Sequence, residues 1–192
     1  MKKLAALVIV SLMASTALAI HDDNTDSFGI YFDSGNSINC LDHGGLYQPF
    51  LVYLVLMNPA SATNGFECTV TTSGQAPFFV LSTTLSGAGA LDVDPSANGF
   101  AVGCSANYPV AAGGCTLVAW TYMLTGAGDL WYYIGQATIP SLPGGCPVVT
   151  GDGVLRRCDV FSGDVRTWCG GIGLCPFPTK PRSFGGVKSL FR

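Results

Sequence analysis

Between Ile20 and Leu155 the sequence has no lysine and no arginine. That absence excludes nucleic acid and anionic membrane as main partners, because both are held by cations. Histidine is nearly missing as well, with only His21 and His43. A hydrolytic triad needs a histidine base beside its nucleophile, and no Gly-x-Ser-x-Gly elbow or phosphate-cradling glycine loop stands in the chain. His21 does not open the mature chain, so a copper site built on an N-terminal histidine is not assembled. There is a single glutamate, Glu67. A two-carboxylate glycosidase would need an aspartate partner for it, and nothing in the sequence selects one. No Cys-x-x-Cys occurs, which argues against structural zinc. No segment keeps a 3.6-residue apolar period, so a helical bundle is excluded. Beyond the first nineteen residues the longest apolar run is Phe50 to Met57, far short of a membrane span. The reading calls for no enzyme, no cofactor and no metal.

What is present begins with an export segment. Met1-Lys2-Lys3 is a basic start, Leu4 to Met13 is apolar, and Ala17-Leu18-Ala19 is a small-x-small cleavage site. The expected mature chain starts at Ile20 and works outside the cytoplasm, in the periplasm, at the cell surface or beyond. All eight cysteines follow this segment, and an even count in an exported chain reads as disulfides. Pairing near neighbours would join Cys40 to Cys68, Cys104 to Cys115, Cys146 to Cys158 and Cys169 to Cys175.

Charge falls into two blocks. The stretch from Ile20 to Leu155 carries ten acidic side chains and no basic one. From Arg156 onward stand Arg156, Arg157, Arg166, Lys180, Arg182, Lys188 and Arg192, opposed by Asp159 and Asp164 only. Such a split lets the basic end lie on the acidic body or reach out to a partner.

Short Val-, Thr- and aromatic-rich runs alternate with Gly, Pro, Ser and Asn turns, the pattern of an all-β domain. Strands are expected near 28–33, 49–57, 66–72, 77–84, 90–93, 99–104, 115–124, 130–137, 147–150 and 154–160. Gly151-Asp152-Gly153 reads as a hairpin turn. The predicted architecture is a disulfide-bonded, two-sheet antiparallel sandwich over 28–175. An acidic, solvated N-terminus over 20–27 precedes it, and a Pro-containing basic tail over 176–192 follows.

The order Phe28-Gly29-Ile30-Tyr31-Phe32-Asp33, then Tyr53 to Pro59, then Gly65-Phe66-Glu67-Cys68 resembles a group of secreted bacterial proteins with a cohesin-like sandwich. Gly99 to Gly103 and Leu117-Val118-Ala119 carry the resemblance on to about residue 160. The ending Phe184-Gly185-Gly186-Val187-Lys188-Ser189-Leu190-Phe191-Arg192 is similar to the (Trp/Phe)-Gly-x-Val-Lys-Ser-Leu-(Phe/Tyr)-Arg close of that group. The resemblance implies a cohesin-like or immunoglobulin-like sandwich and brings no biochemical function with it. Cohesins bind protein modules through one sheet face, but no dockerin-reading residues match here.

Candidate sites are few. Trp131 and Tyr133 fall on one face of the strand after Asp129, where rings can stack on sugars and a carboxylate can accept hydroxyl protons. Trp120 with Tyr122 is a lesser pair of the same kind. Asp22, Asn24 and Asp26 have calcium-loop spacing, with Asp33 at the twelfth place, but no Gly and no Glu where an EF-hand needs them. Asp92 and Asp94 make a second acidic loop. In the tail, Phe184, Val187 and Phe191 have helical spacing beside Leu190, Lys188 and Arg192, which suits a sorting signal or a partner-bound turn. The expectation is a non-catalytic surface or extracellular protein that binds a cell-envelope or extracellular protein. A carbohydrate-binding module on Trp131, Tyr133 and Asp129 is the alternative, and a secreted hydrolase comes third.

Overall fold

The computed structural model describes residues 22–41 and 45–173. The export segment, His21, His43, Cys175 and the tail motif from Phe184 to Arg192 lie outside the described residues. No helix occurs among those described, and thirteen strands do. They are β1 (Ser27–Tyr31), β2 (Cys40–Leu41), β3 (Pro49–Met57), β4 (Gly65–Gly74), β5 (Phe78–Leu85), β6 (Leu91–Asp92), β7 (Gly99–Gly103), β8 (Gly114–Leu124), β9 (Leu130–Gly135), β10 (Val148–Gly151), β11 (Val154–Arg157), β12 (Asp159–Val160) and β13 (Gly170–Ile172).

Two sheets form the sandwich. The first runs β12-β1-β3-β8-β5, and the second runs β11-β10-β4-β9-β13-β2, with β7 on β4 and β6 on β7. Glu67 of β4 pairs with both Val148 and Ala101, and Thr69 pairs with both Gly99 and Gly135. A strand has two edges, so β7 takes one edge of β4 while β10 and β9 share the other. Two pairings correct the all-antiparallel expectation: β1 runs parallel to β12, and β2 parallel to β13. Both join chain segments more than a hundred residues apart, the long separation that parallel pairing requires.

The expected single strand over 154–160 is two strands in different sheets. Cys158 turns into the core, and its N–H donates to the Pro147 carbonyl at 2.9 Å, so the chain changes sheets there. The turn between β10 and β11 follows expectation, with Asp152 and Gly153 at φ of 53° and 76°. Both central residues at positive φ give the tight hairpin turn whose twist matches its strands.

Alternation decides what is buried. Along β3, Val52, Leu54 and Leu56 point inward, and along β9 Leu130, Tyr132 and Ile134 do. Rings bridge the two sheets at Phe28–Phe66 (6.4 Å), Phe100–Trp120 (5.8 Å) and Tyr122–Tyr132 (5.9 Å), and within the sheets Phe66 packs on Phe100 at 6.0 Å and Phe78 stacks on Tyr122 at 5.1 Å. Each such pair adds about 0.5–1.5 kcal/mol beyond its area burial. Trp120 and Tyr122 are therefore core residues, and burial pushes the Tyr122 hydroxyl up to about 12.

The near-neighbour disulfides are not formed. Cys68, Cys104, Cys115, Cys146, Cys158 and Cys169 are thiols, and no two described cysteines are joined to each other. Strand order explains the first pair. Cys40 is on β2 and Cys68 on β4, three strand spacings apart, or about 14 Å against a Cα limit of about 7 Å. Cys104 follows β7 of the second sheet, whereas Cys115 lies on β8 of the first. Cys146 donates to the Gly144 carbonyl at the surface while Cys158 faces the core. Cys169 is buried next to the Ser162 hydroxyl at 3.6 Å, and its expected partner Cys175 is outside the described residues.

Candidate functional site

The acidic residues near the start do not assemble as a calcium loop. Asp22 accepts from the Asn24 N–H at 3.0 Å, and Asp33 accepts from the N–H groups of Gly35, Ser37 and Ile38 and the Ser37 hydroxyl. Asp26 forms a two-bond ion pair with Arg156, at 2.8 Å to Nε and 3.2 Å to Nη2. Arg156 also donates to the hydroxyls of Ser61 and Thr63 at 2.8 and 2.9 Å. Bonding to Asp26 raises the guanidinium above its ordinary value. From Asp22 onward this stretch is thus part of the fold, with Asp22 and Asp26 buried where a solvated end was expected. Arg156 is also one member of the basic block that does lie on the acidic body.

Asp92 and Asp94 are consumed locally. Asp92 accepts from the N–H groups of Asp94 and Ala101, and Asp94 accepts from the N–H and hydroxyl of Ser96. Glu67 spends both oxygens on Ser141, at 2.7 Å to the N–H and 2.7 Å to the hydroxyl.

Two outer faces remain, one on each sheet. On the first sheet, β3, β8 and β5 lie side by side and contain no Asp, Glu, Lys or Arg. Leu51, Thr121 and Ser82 line up across the three strands, with the Ser82 hydroxyl donating to Thr121 at 2.9 Å. Met123 and Phe79 form the next row. Leu51, Phe79 and Leu81 are 46%, 60% and 50% exposed, although their residue types ordinarily sit inside. β5 is the edge of this sheet, and the register shifts between Val80 and Ser82, leaving Leu81 unpaired.

On the second sheet, Trp131 and Tyr133 point outward because Leu130, Tyr132 and Ile134 alternate inward. Trp131 is not alone. The Trp168 ring lies beside it, centroids 5.1 Å apart and planes 41° from each other. Both indoles are half-buried. Under Trp131 runs Gly171 of β13, where a Cβ would overlap the indole. The ring can therefore lie over β13 only because that position has no side chain. Ser73 and Thr71 of β4 face Trp131 and Tyr133 across the pair, and both are exposed. Asp129 is half-buried just before β9, its carboxylate against Gly173 and its carbonyl accepting from Gln75 and Ala76. The structure thus brings Trp131 and Tyr133 onto one face as expected and adds Trp168, which no sequence pattern marked.

No protein-family model matches the sequence, and no curated protein matches it. Two solved cohesin modules are similar to it in structure. One is the sixth cohesin of scaffoldin B from Acetivibrio cellulolyticus, determined with a Cel5 dockerin mutant, at 11% identity and a TM-score of 0.48, covering 78% of this chain and 99% of that one. The other is the cohesin module of a family 33 glycoside hydrolase from Clostridium perfringens, at 12% identity and 0.42, covering 69% and 88%. Among the described residues no helix is long and apolar enough to cross a membrane.

Proposed function

We propose that the chain is an exported, non-catalytic binding protein that engages a protein partner through the outer face of β3, β8 and β5. One observation carries this reading. Three adjoining strands without a charged residue end at an edge strand that exposes Phe79 and Leu81. A soluble chain normally covers such a patch or marks an edge with charge, because unpaired N–H and C=O groups recruit another strand. The partner fitted to it has an apolar and hydroxyl-rich surface, and it gains a strand's worth of main-chain bonds by lying along β5. Lack of charge on the face suits a neutral surface on the partner, while the acidic body around it repels acidic competitors.

The reading of an exported protein rests on the first nineteen residues of the sequence. The test is capture from cell-envelope extract by immobilised 20–192, run beside a Phe79→Asp/Leu81→Asp variant. The expected result is a defined set of retained proteins that the variant loses while its circular dichroism is unchanged. Retention that survives both substitutions would remove this face from the function.

A further inference from the structure

We propose that the Trp131–Trp168 shelf on the opposite sheet is a binding site for a neutral saccharide. It lies on β9 and the loop leading into β13 and shares no residue with the face of β3, β8 and β5, so either site can fail without the other.

Three observations converge on the shelf. The first is its shape: two half-buried indoles in tilted contact, centroids 5.1 Å apart and planes at 41°, with Tyr133 about 7 Å further along the same face of β9. Aromatic ring faces of this kind fit the C–H faces of sugar rings, and an indole pair left half against water forfeits the transfer energy of its exposed carbons. The second is what the fold gives up to hold it. β13 has two glycines in its three residues, Gly170 and Gly171. Glycine within a strand costs roughly 0.5–1 kcal/mol relative to alanine, and the one at 171 leaves the space in which the Trp131 ring lies. The third is the rim. Ser73 and Thr71 present hydroxyls opposite the two rings of β9, and hydroxyls can both donate to and accept from a sugar.

Charge selects among saccharides. The block from Ile20 to Leu155, which includes β4 and β9, has no lysine or arginine. The cation nearest in sequence to Trp168 is Arg166, and its guanidinium is paired with Asp164 at 2.9 Å. Among the described residues a uronate or a sulfate would meet no unpaired counter-charge here and would approach an acidic body, whereas a neutral glycan meets rings and hydroxyls.

The experiment is retention of 20–192 on insoluble cellulose, chitin, xylan and mannan, with alginate and heparin as anionic controls, followed by tryptophan fluorescence with the corresponding soluble oligosaccharides. The expected result is retention on at least one neutral polysaccharide and a fluorescence change on titration. Trp120 is in the core, so the change reports Trp131 and Trp168. Trp168→Ala and Trp131→Ala each weaken binding about tenfold, the size of one lost ring contact, and Trp168→Phe restores part of it. Ser73→Lys, at an exposed position where folding is not at stake, weakens neutral-sugar binding also. Absence of retention on every neutral polysaccharide overturns the proposal, as does retention on the anionic controls alone. Retention that the Trp168→Ala and Ser73→Lys variants both keep overturns it equally.

Discussion

Arg156 ties the edge of one sheet to the entrance of the other, and replacing it with methionine measures what that tie contributes. The side chain comes from β11, while Asp26 stands just before β1 and Ser61 and Thr63 lie on the connection from β3 to β4. The two charged side chains are only 15% and 8% exposed, so water screens them poorly. Methionine keeps most of the apolar stem but leaves Asp26 with the Ala60 N–H at 3.0 Å as its remaining described partner. Removing one member of a buried pair costs about 3–5 kcal/mol, chiefly through the stranded charge. A kilocalorie moves Tm by about 2–4 °C in a domain of this size, so Arg156→Met should lower it by about 6–20 °C. The assay is calorimetry with urea titration on Arg156→Met, Asp26→Asn and the double variant. Asparagine is the right replacement because position 26 sits at φ 49°, which Asn tolerates. The double variant should lose less than the two singles together, by about 1–3 kcal/mol. A Tm drop under about 2 °C for Arg156→Met, or strictly additive losses, would refute the reasoning.

Two further outcomes are expected. Burial pushes the Asp33 carboxyl up, but hydrogen bonds from Ile38, Ser37 and Gly35 outweigh it and hold its pKa below the ordinary value. Its contribution is then present above the unfolded pKa and lost as pH falls through the folded one, so Asp33→Asn should flatten the acid limb of a Tm-against-pH curve and leave its neutral-to-alkaline shape alone. Native alkylation without reductant should label Cys104 and Cys146, which are half-exposed, before Cys68, Cys115, Cys158 and Cys169, whose thiols burial raises. The last four should react once the chain is unfolded; if they still resist on a mass-spectrometric peptide map, they are disulfides after all.

Where alternation is clean, the fold could be read in advance. Much of Gly114 to Leu124 and all of Leu130 to Gly135 repeat an inward-outward pattern, Pro49 to Met57 is an unbroken apolar run buried on both faces at its end, and each stands within a residue or two of its expected strand. Cys40–Leu41 and Gly170–Ile172 escaped because two or three residues cannot display a period, and two of the latter are glycines that ordinarily mark turns. They are strands because β9 offers Gly170, Gly171 and Ile172 an edge, and β13 then offers one to β2. Trp168 was invisible for a related reason. It sits in a loop with no pattern around it and acquires its role only when β13 docks beside Trp131. Cysteine spacing misled because loop length carries no information about which sheet each thiol will join.

The pairing of β1 with β12 and of β2 with β13 has a consequence for biosynthesis. The earliest strands to leave the ribosome wait for the last, since Phe28 lies beside Val160 and Cys40 beside Gly171. A nascent chain that has reached only β9 leaves one edge of β1 and one edge of β9 without their partner strands until the final stretch arrives. The two parallel pairings therefore complete only after the last strands are made, a long-range contact of the kind that slows folding, and a product truncated before Asp159 would expose the edge of β1 that β12 covers.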